Sequence, residues 1–229
     1  MQTITARDAL DRYTAALTED RLIQSSWHSE QDGRQLACAL GVIDPTVDSP
    51  DKCPASVMPR WLAQMVPAFF DRQKFGDAKE WGKRFYEALA RLDGNVPFSV
   101  VHDWQAHSVC QLGIDAAELH KRDPAVHKAL QTLHLRALAG EKISADEWRP
   151  ILRDACADAD TYADADTYAD ADAYADADAY ADAYADAYTY ADAYTYTYAY
   201  ADAYTYAVAC AWGKLADGMV DALNRAGAA

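Results

Sequence analysis

Six histidines, five cysteines and a dense run of aspartates are the side chains with chemistry to offer in this 229-residue chain. His102-Asp103-Trp104 followed by His107 places two imidazoles and a carboxylate close in sequence. Such a grouping suits general acid–base work if the fold turns them into one cleft. His102 and His107 stand five apart, however, off the i,i+4 spacing that puts two metal ligands on one helix face. His127 and His134 stand seven apart and could share a face, with His120 just before them. No Cys or Glu pair completes a metal set, so neither a metal nor a cofactor is expected. His102, Asp103 and His107 are the catalytic candidates that remain. Nothing resembles a nucleophile elbow, a phosphate-cradling glycine loop or a zinc ribbon. Cys38, Cys53, Cys110, Cys156 and Cys210 are scattered and odd in number. That usage fits reduced thiols in a cytoplasmic protein.

The aspartates belong to a repeat. From Ala157 to Ala207 every odd position is Ala or Thr and every even position is Asp or Tyr. Tyr162, Tyr168, Tyr174 and Tyr180 recur every six residues, and the later part tightens to Ala-Tyr and Thr-Tyr pairs. Codons for Tyr and Asp differ by one base, as do those for Ala and Thr, so the tract reads as an expanded six-base unit. It is either a tolerated expansion or a selected rod of acids and phenols.

Period-two alternation is formally a strand signal, but strands seldom exceed about 10 residues and the tract has no Gly, Pro or Asn to turn on. A helix needs no turns, and half the residues are Ala, the best helix former. It would also set Asp158–Tyr162, Asp164–Tyr168, Asp170–Tyr174 and Asp176–Tyr180 at i,i+4, against repulsion between aspartates at the same spacing. A long helix is the reading adopted, with a β-solenoid-like repeat as the alternative and disorder as the third.

Two ligand classes follow from the acids. Asp-x-Asp pairs suit weak, diffuse Ca²⁺ binding, but the glycine of a calcium loop is missing. As a nucleic-acid mimic the tract is thin in charge. Twelve aspartates along a helix of roughly 77 Å give one charge per about 6 Å, whereas duplex DNA carries one per about 1.7 Å.

The elements that must position the histidines lie before the repeat. Thr5 can cap a first helix carrying Leu10, Tyr13 and Leu17, with Asp8 at the capping-box position. A second helix is expected over 34–43, followed by a Pro- and Asp-rich loop. Met58, Trp61, Leu62, Met65 and Phe69 recur at helical spacing, as do Trp81, Phe85, Leu89 and Leu92 after Asp77. A less regular stripe predicts a helix between Ser99 and His120. Asp123-Pro124 opens a helix that Gly140 ends, and another begins at Asp146, with Pro150 in its first turn. The segment 96–101 is the one strand candidate. After the repeat, Val208, Trp212, Leu215, Met219, Val220 and Leu223 return to amphipathic helix spacing, and this apolar end is expected to fold back on the N-terminal part or on a second copy.

Charge divides the chain in the same place. Residues 154–229 hold fifteen Asp against one Lys and one Arg, so thirteen of the fifteen net negative charges lie there. Such a field repels nucleic acid and anionic membranes and attracts basic protein surfaces. No signal-like start and no long apolar run is present, so secretion and membrane spanning are not expected.

The stretch Asp32-Gly33-Arg34 through Cys38-Ala39-Leu40, with Cys53-Pro54-Ala55 and Met58-Pro59-Arg60-Trp61-Leu62-Ala63, resembles uncharacterised bacterial and phage-associated proteins. Those pair a small N-terminal region with alanine-alternating tails of variable length. The resemblance implies a bacterial or prophage origin and brings no activity.

The expected organisation is a mainly α protein: a small helical domain over 1–153, the repeat over 154–207 and an amphipathic helix over 208–229. The expected function is a non-enzymatic interaction module whose extension, through Asp158, Asp164, Asp170, Asp176, Tyr162, Tyr168, Tyr174 and Tyr180, contacts a basic partner or self-associates. Direct nucleic-acid binding and membrane binding are not expected. The alternatives are a small enzyme or metal-binding protein using the N-terminal histidines, and a nucleic-acid mimic or weak calcium binder through the Asp-rich tract. A peptide of the tract should gain helical circular dichroism as its aspartates protonate near about pH 4; a β signature at every pH would refute the helical reading.

Overall fold

The computed structural model describes residues 3–119, 121–166 and 208–228, which gather into two compact units. One unit takes the chain up to Val100 and again from Trp212; the other takes Val101 to Ala211. The described residues are mainly helical, and no helix among them is long and apolar enough to cross a membrane.

In the first unit, α1 (Ala6–Thr18) opens on the capping box its sequence encodes. Thr5 Oγ1 accepts the Asp8 amide, and Asp8 Oδ2 accepts the Thr5 amide at 2.8 Å. Two donors left open by the helix start are thereby satisfied. Ala9, Leu10, Tyr13 and Ala16 form its buried face.

The helix expected over 34–43 is replaced by strand and turn. β1 (His28–Gln31) and β2 (Arg34–Ala37) pair antiparallel, with Gln31 opposite Arg34. Asp32 and Gly33 connect them with φ of 52° and 72°, and Asp-Gly is the pair that a two-residue hairpin turn with two left-handed residues favours. The spacing of Leu36, Leu40 and Ile43 imitates a helical stripe, but the turn chemistry decides. The one strand candidate, 96–101, does not form a strand: Val96-Pro97-Phe98 leads irregularly into the helix expected from Ser99.

α2 (Arg60–Asp71) and α3 (Phe75–Arg91) follow the expected stripes. α3 starts two residues before Asp77, which sits in the first turn where an acid is favoured. The chain then reverses at Gly94, at φ 73°. A Cβ there would lie 2.6 Å from the Ser56 carbonyl oxygen, so the position needs glycine twice over.

The second unit is built from α4 (Ser99–Trp104), a π turn (Gln105–Val109), α5 (Cys110–Leu119), α6 (Ala125–Leu138) and α7 (Ala145–Asp166). The π turn accounts for the irregular stripe between 99 and 119, because a wider turn shifts the register of every later residue. Gln131 of α6 donates to the Ala106 carbonyl within that turn at 2.8 Å. α6 starts one residue later than read: Pro124 is its N-cap rather than its first helical residue, Asp123 Oδ1 accepts the Ala125 amide at 3.0 Å, and Gly140 stands just beyond the helix end at φ 87°. α7 begins one residue earlier than expected, with Ser144 Oγ accepting the Glu147 amide. Pro150 therefore lies past the first turn and costs the helix one donor.

The apolar end forms α8 (Val208–Ala226), which packs in the first unit. Trp81 Nε1 donates to the Ala216 carbonyl at 2.9 Å, Arg84 pairs with Asp217 at 2.7 Å, and Arg91 bonds Asn224. Trp212 packs edge-on to Phe69 at 6.3 Å, with the Arg72 guanidinium 5.1 Å from its ring centre. Phe69, Trp81, Phe85, Tyr86 and Tyr13 continue this aromatic core toward α1.

α1 and α3 approach so closely that a Cβ on Gly82 would lie 2.1 Å from the Tyr13 hydroxyl oxygen, which itself donates to the Lys79 carbonyl at 3.0 Å. Gly to Ala inside a helix ordinarily stabilises by roughly 0.5–1 kcal/mol. Here Gly82→Ala should instead destabilise by roughly 1–3 kcal/mol through overpacking. Urea denaturation reads the sign, and a gain in stability would contradict the packing described.

Candidate functional site

The second unit brings together the histidines that the sequence spreads over three helices. His102 comes from α4 and His134 from α6, and their Nδ1 atoms lie 3.1 Å apart. Trp148 of α7 covers both: its ring stacks on His102 at 6.0 Å and tilts against His134 at 4.8 Å. The helices deliver these side chains because the apolar stripe of α6 includes two imidazoles. His127 and His134, two turns apart, are as buried as Leu130 and Leu133 between them.

His127 meets a different partner. Its Nε2 lies 2.9 Å from Asp158 Oδ2, and the other oxygen of Asp158 takes Arg122 Nη2 at 3.2 Å. Asp158 is the first aspartate of the repeat. It pairs with Arg122 and hydrogen-bonds His127, tying the start of the tract to α6.

Burial governs the protonation of all three imidazoles. Desolvation holds His102 below its ordinary value and pushes His134 down to about 3, where the adjacent His102 ring also opposes a charge. His127 is lowered by burial as well, although the Asp158 carboxylate pulls the other way. His102 and His134 are thus both neutral near neutral pH, and a single proton lies between their Nδ1 atoms. His134 Nε2 is buried and has no hydrogen-bond partner among the described residues. A bare lone pair in that place costs less than an orphaned N–H. The economical arrangement has His134 Nδ1–H donating to His102 Nδ1.

The catalytic trio expected from sequence does not assemble. His102 is half-buried against His134 and Trp148, whereas His107, one helical turn and more along, is exposed. The π turn that begins at Gln105 separates the two directions. Asp103 is half-buried on the same helix as His102. What sequence reading missed is the partnership of His102 with His134 and of His127 with Asp158. The one available signal was the seven-residue spacing of His127 and His134 on an apolar helix face.

Two imidazoles 3.1 Å apart have a separation that a tetrahedral metal could bridge. A metal wants further ligands, and no group of three or more His, Cys, Asp or Glu able to hold one occurs among the described residues. The arrangement is a buried, hydrogen-bonded polar cluster packed under an indole.

Among the interaction residues expected in the repeat, Tyr162 and Asp164 lie on the helical backbone of α7. Tyr168, Asp170, Tyr174, Asp176 and Tyr180 lie outside the described residues, as does His120. Comparison with family models, curated proteins and solved structures gave no match to this chain.

The sign of the acid response follows from the lowered values. A histidine whose folded pKa lies below its unfolded value of about 6.5 binds more protons when unfolded. Its stabilising contribution is complete above about 6.5 and drains away as pH falls toward the folded value. Thermal unfolding should therefore come earlier from pH 7 to pH 5, before most carboxylates titrate. His134→Leu roughly conserves volume but removes the hydrogen bond to His102, so it should lower stability at pH 8 by roughly 1–3 kcal/mol. It should also flatten the slope between pH 7 and pH 5; an unchanged slope would remove His134 as its source.

Proposed function

We propose that this chain is a non-catalytic interaction protein that presents an acidic, tyrosine-rich insert to a basic protein surface. The observation that carries this reading is the anchoring of the repeat at both ends. Upstream, α7 runs helically through Ala157–Asp166, and Asp158 is bound by Arg122 and His127. Downstream, α8 is held by Trp81, Arg84 and Arg91. Packed helices before and after the repeat in sequence support reading it as an insert.

The helical start supports continuation of α7 into the tract, in preference to a β-solenoid. Tyrosines in i,i+4 columns would then supply amphipathic contact area, and aspartates would supply solubility and preference for cations. The small N-terminal region with an alanine-alternating segment also accords with a bacterial or phage-associated protein. Self-association through the segment 188–206, where aspartates thin out, is the second arm of the same reading.

A variant with residues 167–207 replaced by a short Gly/Ser linker tests it, since both anchors stay in place. The full chain should bind a fluorescent lysine-rich polypeptide at low salt and release it at high salt. The linker variant should lose the binding while keeping its thermal unfolding. Equal binding by the two proteins, with no concentration-dependent sedimentation of the full chain, would overturn the proposal.

A further inference from the structure

The first unit contains a cavity of about 250 Å³ between the segment leading into β1, the turn after β2 and the last turns of α2. Its walls are mostly apolar: Trp27, Leu40, Val66 and Phe70 face it, together with the Cys38 thiol. Burial and the nearby Asp71 carboxyl both raise the Cys38 thiol, so the sulfur stays protonated and forms a neutral, polarisable wall. The only ionisable carboxyl lining the cavity is Asp71.

Three features make the Asp71 end of the cavity electronegative. The carboxyl accepts the Ser25 amide at 3.0 Å through Oδ1, and no basic side chain of the described residues pairs with it. It is the last residue of α2, where the helix dipole already presents its negative pole. Desolvation holds the carboxyl above the usual carboxylate range, a cost that an added cation relieves. An acid at a helix C-terminus, half out of water and with only the Ser25 amide to offset the burial, gains from an added cation. Ser25, at φ 60°, is also held in the left-handed region that serine rarely adopts, and its amide is the one that Asp71 accepts. Such local strain costs about 1 kcal/mol or more and clusters at ligand sites.

We propose that this cavity binds a small primary amine with an aromatic or branched aliphatic body. The ammonium sits against Asp71 Oδ2, and the body lies between Trp27, Leu40, Val66 and Phe70. The volume limits the ligand to roughly a phenethylamine in size, since it falls just below the usual range of about 300–1,000 Å³ for ligand pockets. An indole wall favours a cation beside it. A neutral ligand of the same shape would leave the carboxylate uncompensated, and an anionic one would be repelled. The site is distinct from the acidic repeat, so this inference stands or falls independently of the proposed function.

The test is titration of the full chain with phenethylamine, and in parallel with 2-phenylethanol, its neutral counterpart. Calorimetry reads the affinity, and amide shifts in the NMR spectrum locate the site. The amine should bind at least about tenfold more tightly than the alcohol, a difference of about 1.4 kcal/mol. Shifts should be confined to residues 25–27, 38–40 and 66–71. Asp71→Asn retains an acceptor for the Ser25 amide and should abolish the preference for the amine. Equal affinity for amine and alcohol in the unmodified chain would overturn the proposal, as would shifts elsewhere in the protein. So would no binding at millimolar amine. The comparison of the two ligands needs no variant, so a misfolded Asp71→Asn would still leave a decisive result.

Discussion

The Trp81–Ala216 hydrogen bond and the aromatic packing around it hold together two parts of the chain that are far apart in sequence. α3 and α8 meet there, although residues 92–207 separate them in sequence. Indole burial supplies the energy. Trp81 and Trp212 are both almost fully buried, and together with Phe69 and Phe85 they form one continuous aromatic cluster. The Trp81 N–H finds its acceptor in the backbone of α8, so the ring can be buried without an orphaned donor. Without α8 that acceptor would be lost, and the face of α2 and α3 that it covers would be open to water.

That closure has a consequence for the repeat. The repeat lies in sequence between two helices that are each packed through residues outside it, so added hexapeptide units displace no packed side chain of either helix. A repeat made by slippage is therefore tolerated at this place more readily than it would be inside either core. The same physics serves a selected insert equally well, because its length can be tuned while the anchors stay constant. Asp158 marks where tolerance ends: it looks like any other aspartate of the tract, yet it closes a buried His127 and a half-buried Arg122.

Much of the local structure was legible because its causes are local. The Thr5/Asp8 capping box, the Asp123-Pro124 start and Gly140 stop of α6, and the stripe of Trp81, Phe85 and Leu89 each depend on residues within a few positions. The hairpin at Asp32-Gly33 was missed: apolar spacing in the following segment suggested a helix, although Asp-Gly is the pair that a two-residue turn favours. The irregular pattern of 99–119 needed coordinates, because a π turn leaves no distinct mark in composition.

The sequence alone determined where the charge lies, that the chain is mainly helical, and which helix faces are apolar, since charge and periodicity are properties of order along the chain. Tertiary structure decided which side chains meet. His102 meets His134, Asp158 meets His127 of α6 together with Arg122, and Asp71 lines a cavity with Trp27. Each of these pairings is long-range, and their partners are selected by helix packing that no spacing rule encodes.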